Sequence, residues 1–139
     1  ETGYYYAFNK LYDGSTGDPC SKLNTAYYGT SWRTPTKNEL EKLARCTDKV
    51  YTNGGMWFTH QSLGLFLKAG GMRQESGAGT GGAGYTDHGC YVTSTLGSSG
   101  SNCYVMEFTT ITVVVSNTGA WWSLLTNGYF VRCVKGTKQ

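Results

Sequence analysis

The sequence predicts an α+β domain in which one main helix packs on an antiparallel sheet. A single segment carries both a helix-capping signal and an apolar stripe at helical spacing. Several short runs of β-branched and aromatic residues are separated by glycine-rich turns. The 139 residues include 20 glycines and 11 tyrosines but only 15% charged side chains. That composition excludes a disordered chain and a coiled coil.

The helix is predicted at about residues 37–46. Thr36, followed three residues later by Glu39, forms a capping box in which each side chain bonds the other residue's backbone N–H. Three apolar residues then follow at helical spacing and form one stripe: Leu40, Leu43 and Ala44. Because about ten residues are too few for a helix that is stable alone, this helix must dock on a sheet.

Short strands are predicted on both sides of the helix. Residues 4–12 are rich in tyrosine and end at the turn signal Asp13-Gly14. Further runs of β-forming residues predict strands at 56–58, 63–67, 90–95, 103–108, 111–115 and 129–134. Residues 76–84 contain little except glycine and alanine and predict a flexible loop.

The ends and the cysteines indicate an extracellular protein. Residues 1–3 and 136–139 resemble remnants of a secretion-expression vector, which leaves 4–135 as a single domain. No Cys-x-x-Cys occurs, which argues against a zinc ribbon. Five cysteines in an extracellular domain suggest two disulfides and one spare thiol; the alternative is that several are buried thiols. The candidates are Cys20, Cys46, Cys90, Cys103 and Cys133.

Several kinds of chemistry find no support in the sequence. A net charge of +3 without a basic run disfavours nucleic-acid binding, and no apolar window is long enough to insert into a membrane. The Gly-x-Gly-x-x-Gly pattern at 79–84 lacks the following helix that a dinucleotide site requires, so no cofactor is expected. Asp87, His88 and Cys90 lie close together along the chain but are interpreted as a turn with a local hydrogen bond, and no metal site is predicted.

Charge is distributed very unevenly along the chain. Between Gly89 and Val131, 43 residues contain one formal charge, Glu107, among many aromatic, glycine, serine and threonine residues. A soluble domain normally spreads charge over its surface, so a neutral and aromatic third is typical of a binding surface. The alternative is that this third is simply the sheet core with neutral turns.

Six motifs, in order along the chain, resemble a known family. The most specific is Trp32-Arg33-Thr34-Pro35-Thr36-Lys37-Asn38-Glu39-Leu40, in which a Trp-Arg-x-Pro-Thr-x-x-Glu pattern opens the helix. The other motifs are Asp18-Pro19-Cys20, Phe66 to Arg73, Tyr91 to Thr95, Tyr104 to Phe108 and Gly128 to Val134. Together they span residues 18–135 and resemble the Fibrobacter succinogenes major paralogous domain, which is common in secreted proteins of Bacteroidota.

The resemblance implies a C-type-lectin-like fold, with a curved antiparallel sheet and paired N- and C-terminal strands. The same branch of that fold holds the formylglycine-generating enzymes and the variable proteins of diversity-generating retroelements. In the variable proteins, the C-terminal strands and loops carry a hypervariable ligand-binding face. This sequence departs from the family pattern at Val92, Thr93 and Phe130 and through 109–126, which suggests diversified binding positions.

The motifs that this sequence shares with the family are expected to stabilise the fold. Trp32 should pack under the helix, and Arg33 and Arg132 should hydrogen-bond to carbonyls. Cys133 should bond either Cys46 or Cys20. On a hairpin, Cys90 and Cys103 could face each other as a disulfide or remain thiols.

We therefore expect a non-catalytic, adhesin-like domain, extracellular or at a bacterial cell surface, that binds a protein or glycan ligand, for example at a pilus tip. Calcium is not expected, because the Glu-Pro-Asn, Gln-Pro-Asp and Trp-Asn-Asp motifs of calcium-dependent lectins are absent. The expected contact residues are Val92, Thr93, Thr110, Thr112, Val114, Trp121, Trp122, Leu124 and Phe130. The alternatives are an oxidase of the formylglycine-generating type, using Cys90 and Cys103, and a structural pilus or surface subunit.

Overall fold

The computed structural model describes residues 6–11, 13–23, 25–60, 63–73, 87–118 and 125–139. They form a 3-10 turn at Pro19–Lys22 and two helices, α1 (Thr25–Tyr28) and α2 (Lys37–Ala44). The strands are β1 (Trp32–Arg33), β2 (Asp48–Thr52), β3 (Gly55–His60), β4 (Leu63–Lys68), β5 (Gly89–Leu96), β6 (Cys103–Phe108), β7 (Val113–Ser116) and β8 (Val134–Lys135). The architecture is α+β, as the sequence predicts. None of the described helices is long and apolar enough to cross a membrane.

The strands form three antiparallel sheets. One is the meander β2–β3–β4, and a second is β5–β6–β7, on which α2 packs. The third pairs β1 with β8, which brings distant parts of the chain together. Sequence analysis did not predict β2, which pairs with β3 along its whole length.

Helix α2 begins where its capping box predicts. The Glu39 N–H donates to Thr36 Oγ1 at 3.3 Å, and the Thr36 N–H donates to the Glu39 carboxylate at 2.8 Å. The helix ends at Ala44, two residues before the predicted end. There the last turn tightens, because the Cys46 N–H bonds to the Leu43 carbonyl three residues back.

Among the residues that the structure describes, the core consists of two clusters, one on each face of the β5–β6 pair. Alternate residues point to opposite faces of a strand. On the α2 side, Tyr91, Met106 and Phe108 pack with Leu40 of α2 and with side chains of the meander. On the other side, Val92 packs with its neighbours in a cluster of buried residues: Met72, Cys90, Cys103, Val105 and Tyr129. Strand β5 is therefore covered on both faces.

The terminal segments pair more briefly than predicted. Residues 4–12 were expected to form a strand, but in the part described the chain turns at 8–9. Asn9 takes a positive φ of 48°, which interrupts an extended run. Tyr6 still bridges Tyr129, so the predicted approach of the N- and C-terminal segments is observed. The predicted strand at 129–134 is also broken, because residues 128–130 bridge three separate partners: Tyr6, Arg73 and Tyr91.

One disulfide links Cys20 to Cys133, which is one of the two pairings expected for Cys133. Cys46, Cys90 and Cys103 remain thiols, so the expectation of two disulfides is wrong. The bond joins positions 113 residues apart. Closing a loop of that length restricts the unfolded chain and is worth about 4–5 kcal/mol on the chain-entropy account.

An ion pair between Arg33 and Glu39 joins the start of α2 to β1. The Arg33 side chain is only 12% exposed, and its two terminal nitrogens donate to the Glu39 carboxylate at 2.8 and 2.5 Å. Its Nε also donates to the Gly136 carbonyl at 2.7 Å, and Nη2 donates to the Thr137 carbonyl. Arg33 therefore bonds to carbonyls as predicted, whereas Arg132 is exposed.

The last residues of the chain belong to this network, although residues 136–139 were expected to lie outside the fold. The Gln139 N–H donates to Glu39 Oε1 at 3.3 Å, and Thr36 Oγ1 donates to the Gln139 carbonyl at 2.7 Å. Trp32 adds a further contact nearby, since its indole N–H donates to the Tyr28 carbonyl at 2.8 Å. The end of the chain, β1 and the start of α2 are thus held together.

Replacing Glu39 by Gln should lower the free energy of unfolding at pH 7 by about 1–3 kcal/mol, because hydrogen bonds to a charged partner are lost. Bonds from Arg33 lower the pKa of Glu39 from 4.5 to about 2. The folded pKa is depressed, so this stabilisation is present above about pH 4.5 and is lost as the pH falls towards 2. Urea unfolding of both proteins from pH 7 to pH 2 measures the difference.

The control is Glu41→Gln, which removes a more exposed pair with Lys37 (3.6 Å) and should cost less than about 1 kcal/mol. A Glu39→Gln variant as stable as the parent protein at pH 7 would contradict the role given to this ion pair.

Candidate ligand-binding surface

The structure divides the predicted contact residues into separate groups. Thr110, Thr112 and Val114 are exposed on the β6–β7 hairpin. Val92, Thr93 and Phe130 are buried, and Trp121, Trp122 and Leu124 lie outside the described residues. Among the predicted contact residues that the structure describes, Thr110, Thr112 and Val114 are the ones exposed at the surface.

Hydrogen bonds between threonines order the turn that joins β6 to β7. The Thr109 N–H donates to the Thr112 carbonyl at 2.9 Å, and the two hydroxyls lie 2.9 Å apart. Thr109 Oγ1 also accepts from the N–H groups of Ile111 and Thr112. This turn holds Ile111 outward with 88% of its surface exposed. We name Thr110, Ile111, Thr112 and Val114 the hairpin surface.

Strand alternation places Val114 on this surface. Its neighbours Val113 and Val115 pack against the core, whereas Val114 points to the opposite face and is 50% exposed. Val114 pairs in register with Glu107, the formal charge closest to the hairpin surface along β6. Partial burial raises the pKa of Glu107, and the nearby His88 opposes that shift. The hairpin surface itself carries no ionisable side chain.

Sequence reasoning missed Ile111 as a contact residue. The β-branched run 111–115 predicts a strand, and within a strand Ile111 would share the inward face of Val113 and Val115. In the structure the strand begins only at Val113, so alternation does not extend to Ile111. The sequence signal that could have indicated a turn was the run of threonines at 109, 110 and 112, since threonine hydroxyls form local bonds with the backbone.

The burial of Val92, Thr93 and Phe130 corrects their prediction as contact residues. Phe130 stacks on Tyr91 with ring centroids 5.6 Å apart and is 8% exposed. Thr93 is 1% exposed, and its hydroxyl donates to the Tyr104 carbonyl at 2.9 Å. Val92 is 3% exposed in the second core cluster. They are uncharged because they fill the core, which was the alternative interpretation of the neutral third.

Val92 and Thr93 do line a cleft of about 380 Å³ beside Asp18 and Thr34. Two polar residues that line this cleft, Asp18 and Thr34, are engaged with each other within the protein. Asp18 accepts from the Thr34 hydroxyl at 2.7 Å and from the backbone N–H groups of Cys20 and Thr34 at 2.9 Å. These bonds join the Cys20 segment to the residue that follows β1.

The thiols suggested for oxidase chemistry do not form a cross-strand pair. In the β5–β6 register, Cys90 lies opposite Glu107 and Cys103 lies opposite Leu96. Both thiols are fully buried, and burial raises the pKa of Cys90 and raises that of Cys103 to about 11. Burial therefore disfavours the thiolate, which is the nucleophilic form. Among the described residues, no three histidine, cysteine or acidic side chains are grouped to hold a metal ion.

Iodoacetamide should alkylate the native protein at Cys46 alone. Cys46 is partly exposed, whereas Cys90 and Cys103 have no accessible surface and should react about 100-fold more slowly. Intact-protein mass spectrometry over time counts the adducts, and peptide mapping locates them. In guanidinium chloride all three thiols should react at similar rates. A native protein that gains two adducts together would contradict the burial described here.

Comparisons with known proteins leave this surface unassigned. No protein-family model, no curated protein and no solved structure matches the chain. The hairpin surface is therefore identified as a candidate site only by its exposure, its lack of charge and its local hydrogen bonds.

Proposed function

We propose that this chain is an extracellular, non-catalytic domain of C-type-lectin-like fold that binds a protein or glycan ligand through the hairpin surface. Trp121, Trp122 and Leu124, which follow β7 along the chain, would extend the contact area. A bacterial surface or pilus adhesin is the setting that this proposal favours. Binding would depend on shape and apolar contact, since the hairpin surface has no charge with which to steer a partner.

The observation that carries the proposal is an apolar, uncharged surface held outward by an ordered turn. Ile111 and Val114 are exposed, although their β-branched side chains would be buried in most sheets. Stiff side chains on a turn ordered by Thr109 lose little conformational freedom on binding. Both properties favour affinity for a partner.

Of the two alternative functions, an oxidase loses support on chemical grounds, and a structural subunit predicts a different effect of substitutions. An oxidase would need a reactive cysteine pair, and the buried thiols of Cys90 and Cys103 are poorly suited to that role. A structural subunit would use the same exposed Ile111 and Val114 for contact with a neighbouring subunit. Substitutions on the hairpin surface would then impair assembly instead of ligand binding.

Ile111→Lys should weaken ligand binding at least tenfold, since it replaces an exposed apolar contact with a hydrated charge. The parent domain, made multivalent on streptavidin, is first screened on a glycan array and against displayed extracellular proteins. Titration of the hit with each variant then gives the Kd. Val50→Lys is the matched control, because Val50 is also β-branched and 62% exposed but lies on the meander.

Equal losses for Ile111→Lys and Val50→Lys would show that added charge, and not this surface, causes the effect. Unchanged binding by Ile111→Lys would contradict the proposed contact surface. Thermal denaturation of both variants checks that each keeps the fold.

If a diversity-generating retroelement acts on this protein, near-identical copies should differ mainly at positions 110–112, 114, 121, 122 and 124. Positions 92, 93 and 130 should stay constant despite their departure from the family pattern, because these side chains are buried. Sequencing of copies from one population measures the substitution density there and over 18–75. Equal densities in the two regions would contradict hypervariability.

A further inference from the structure

A second surface of different chemistry lies between the end of α2 and the β3–β4 hairpin. It is an open groove of about 640 Å³. That volume lies within the range of about 300–1,000 Å³ that is usual for small-molecule sites. The lining residues that matter for its chemistry are Lys42, Leu43, Arg45, Cys46, Phe58 and Leu65. None of them belongs to the hairpin surface.

The lining of the groove is mainly apolar. Phe58 is buried, Leu43 and Leu65 are half-buried, and all three pack in the core cluster beneath α2. Leu63, at the edge, is 77% exposed. An apolar ligand in this groove would cover leucine surface that water now contacts, and removing apolar surface from water favours binding.

The rim of the groove is cationic. Lys42 and Arg45 line it, and no carboxylate is among the lining residues. The Lys42 ammonium donates to the side-chain amide oxygen of Gln139 at 3.1 Å, which is a neutral partner. Carbonyls at a helix C-terminus are partly negative and would oppose an anion. Here Lys49 donates to the Ala44 carbonyl at 2.6 Å and offsets that effect.

We propose that this groove binds an anionic amphiphile, a single apolar chain that ends in a carboxylate, as in a fatty acid. The chain would lie on Leu43, Phe58 and Leu65, and the carboxylate would meet Lys42 and Arg45. An uncharged chain would forgo the contact with the cations, and a small anion would forgo the apolar contact. This complementarity selects an amphiphile over either a neutral lipid or a free anion.

The alkylation rate of Cys46 can be used to measure whether the groove is occupied. Its thiol lines the groove and lies 3.0 Å from the Thr59 carbonyl. A bound chain would shield this thiol from a small reagent in solution. Because Cys90 and Cys103 are buried on the β5–β6 strands, alkylation of the native protein reads out Cys46. The measurement does not require the ligand of the hairpin surface, so the two proposals succeed or fail separately.

The experiment measures the rate of Cys46 alkylation by iodoacetamide, a neutral reagent, as decanoate is added below its micelle concentration. At saturation decanoate should slow alkylation at least fivefold, whereas 1-decanol should require at least tenfold higher concentrations for the same protection. In Lys42→Glu/Arg45→Glu, protection by decanoate should disappear. The control variant Lys22→Glu/Lys68→Glu makes the same change of charge at exposed lysines outside the groove. In this control, decanoate should still protect Cys46.

An unchanged alkylation rate in decanoate would overturn the proposal, and so would equal protection by decanol and decanoate. Protection that persists in Lys42→Glu/Arg45→Glu would also overturn it, because it would place the amphiphile elsewhere. Sedimentation velocity tests the other occupant of an apolar groove: a dimer in which Cys46 is shielded without decanoate would assign the groove to a second copy of the chain.

Discussion

The ion pair between Arg33 and Glu39 is the contact through which the parts of this fold are joined. Glu39 belongs to the capping box that starts α2, so the same carboxylate fixes both the helix and the arginine. Arg33 in turn holds the carbonyls that follow β8, and the Cys20–Cys133 bond lies just before β8. A charged pair with little exposure is costly unless its hydrogen-bonding groups are satisfied. Here Glu39 accepts from Arg33, Thr36 and Gln139.

Close packing around the sheet that carries the hairpin surface matters for binding, because it lowers the entropic cost of ordering that surface when a partner binds. Helix α2 covers one face of the β5–β7 sheet, and the segment around Tyr129 covers the other face of β5 and β6. Strands β5 and β6 are thus covered on both faces, and β6 leads directly to the hairpin turn that carries Ile111. A surface presented by a well-packed sheet needs little ordering when a partner binds.

Sequence patterns predicted the local features and missed those that depend on tertiary contacts. Strand 103–108 matches its prediction because its β-forming residues and its turns agree. Strand β2 was missed because its Asp-Lys-Val-Tyr-Thr sequence is half polar and gains its strand structure by pairing with β3. Val92 was placed on the surface because neutral composition does not distinguish a core strand from a binding face. Only the packing of Tyr129 over β5 decides between the two.

The hairpin surface and the groove differ in charge, and that difference limits what each can bind. Attraction between exposed charges is screened over about 8 Å at physiological ionic strength, so Lys42 and Arg45 act only on a group that reaches the rim of the groove. The hairpin surface has no ionisable side chain, so on the proposal made above it would discriminate by the shape around Ile111 and Val114. A change of side chain at the hairpin alters shape without disturbing an ion pair, because the turn bonds there come from threonine hydroxyls and the backbone. A surface of this kind can accept many substitutions while the Arg33–Glu39 ion pair and its contacts are unchanged, which is the physical requirement for a diversified binding face.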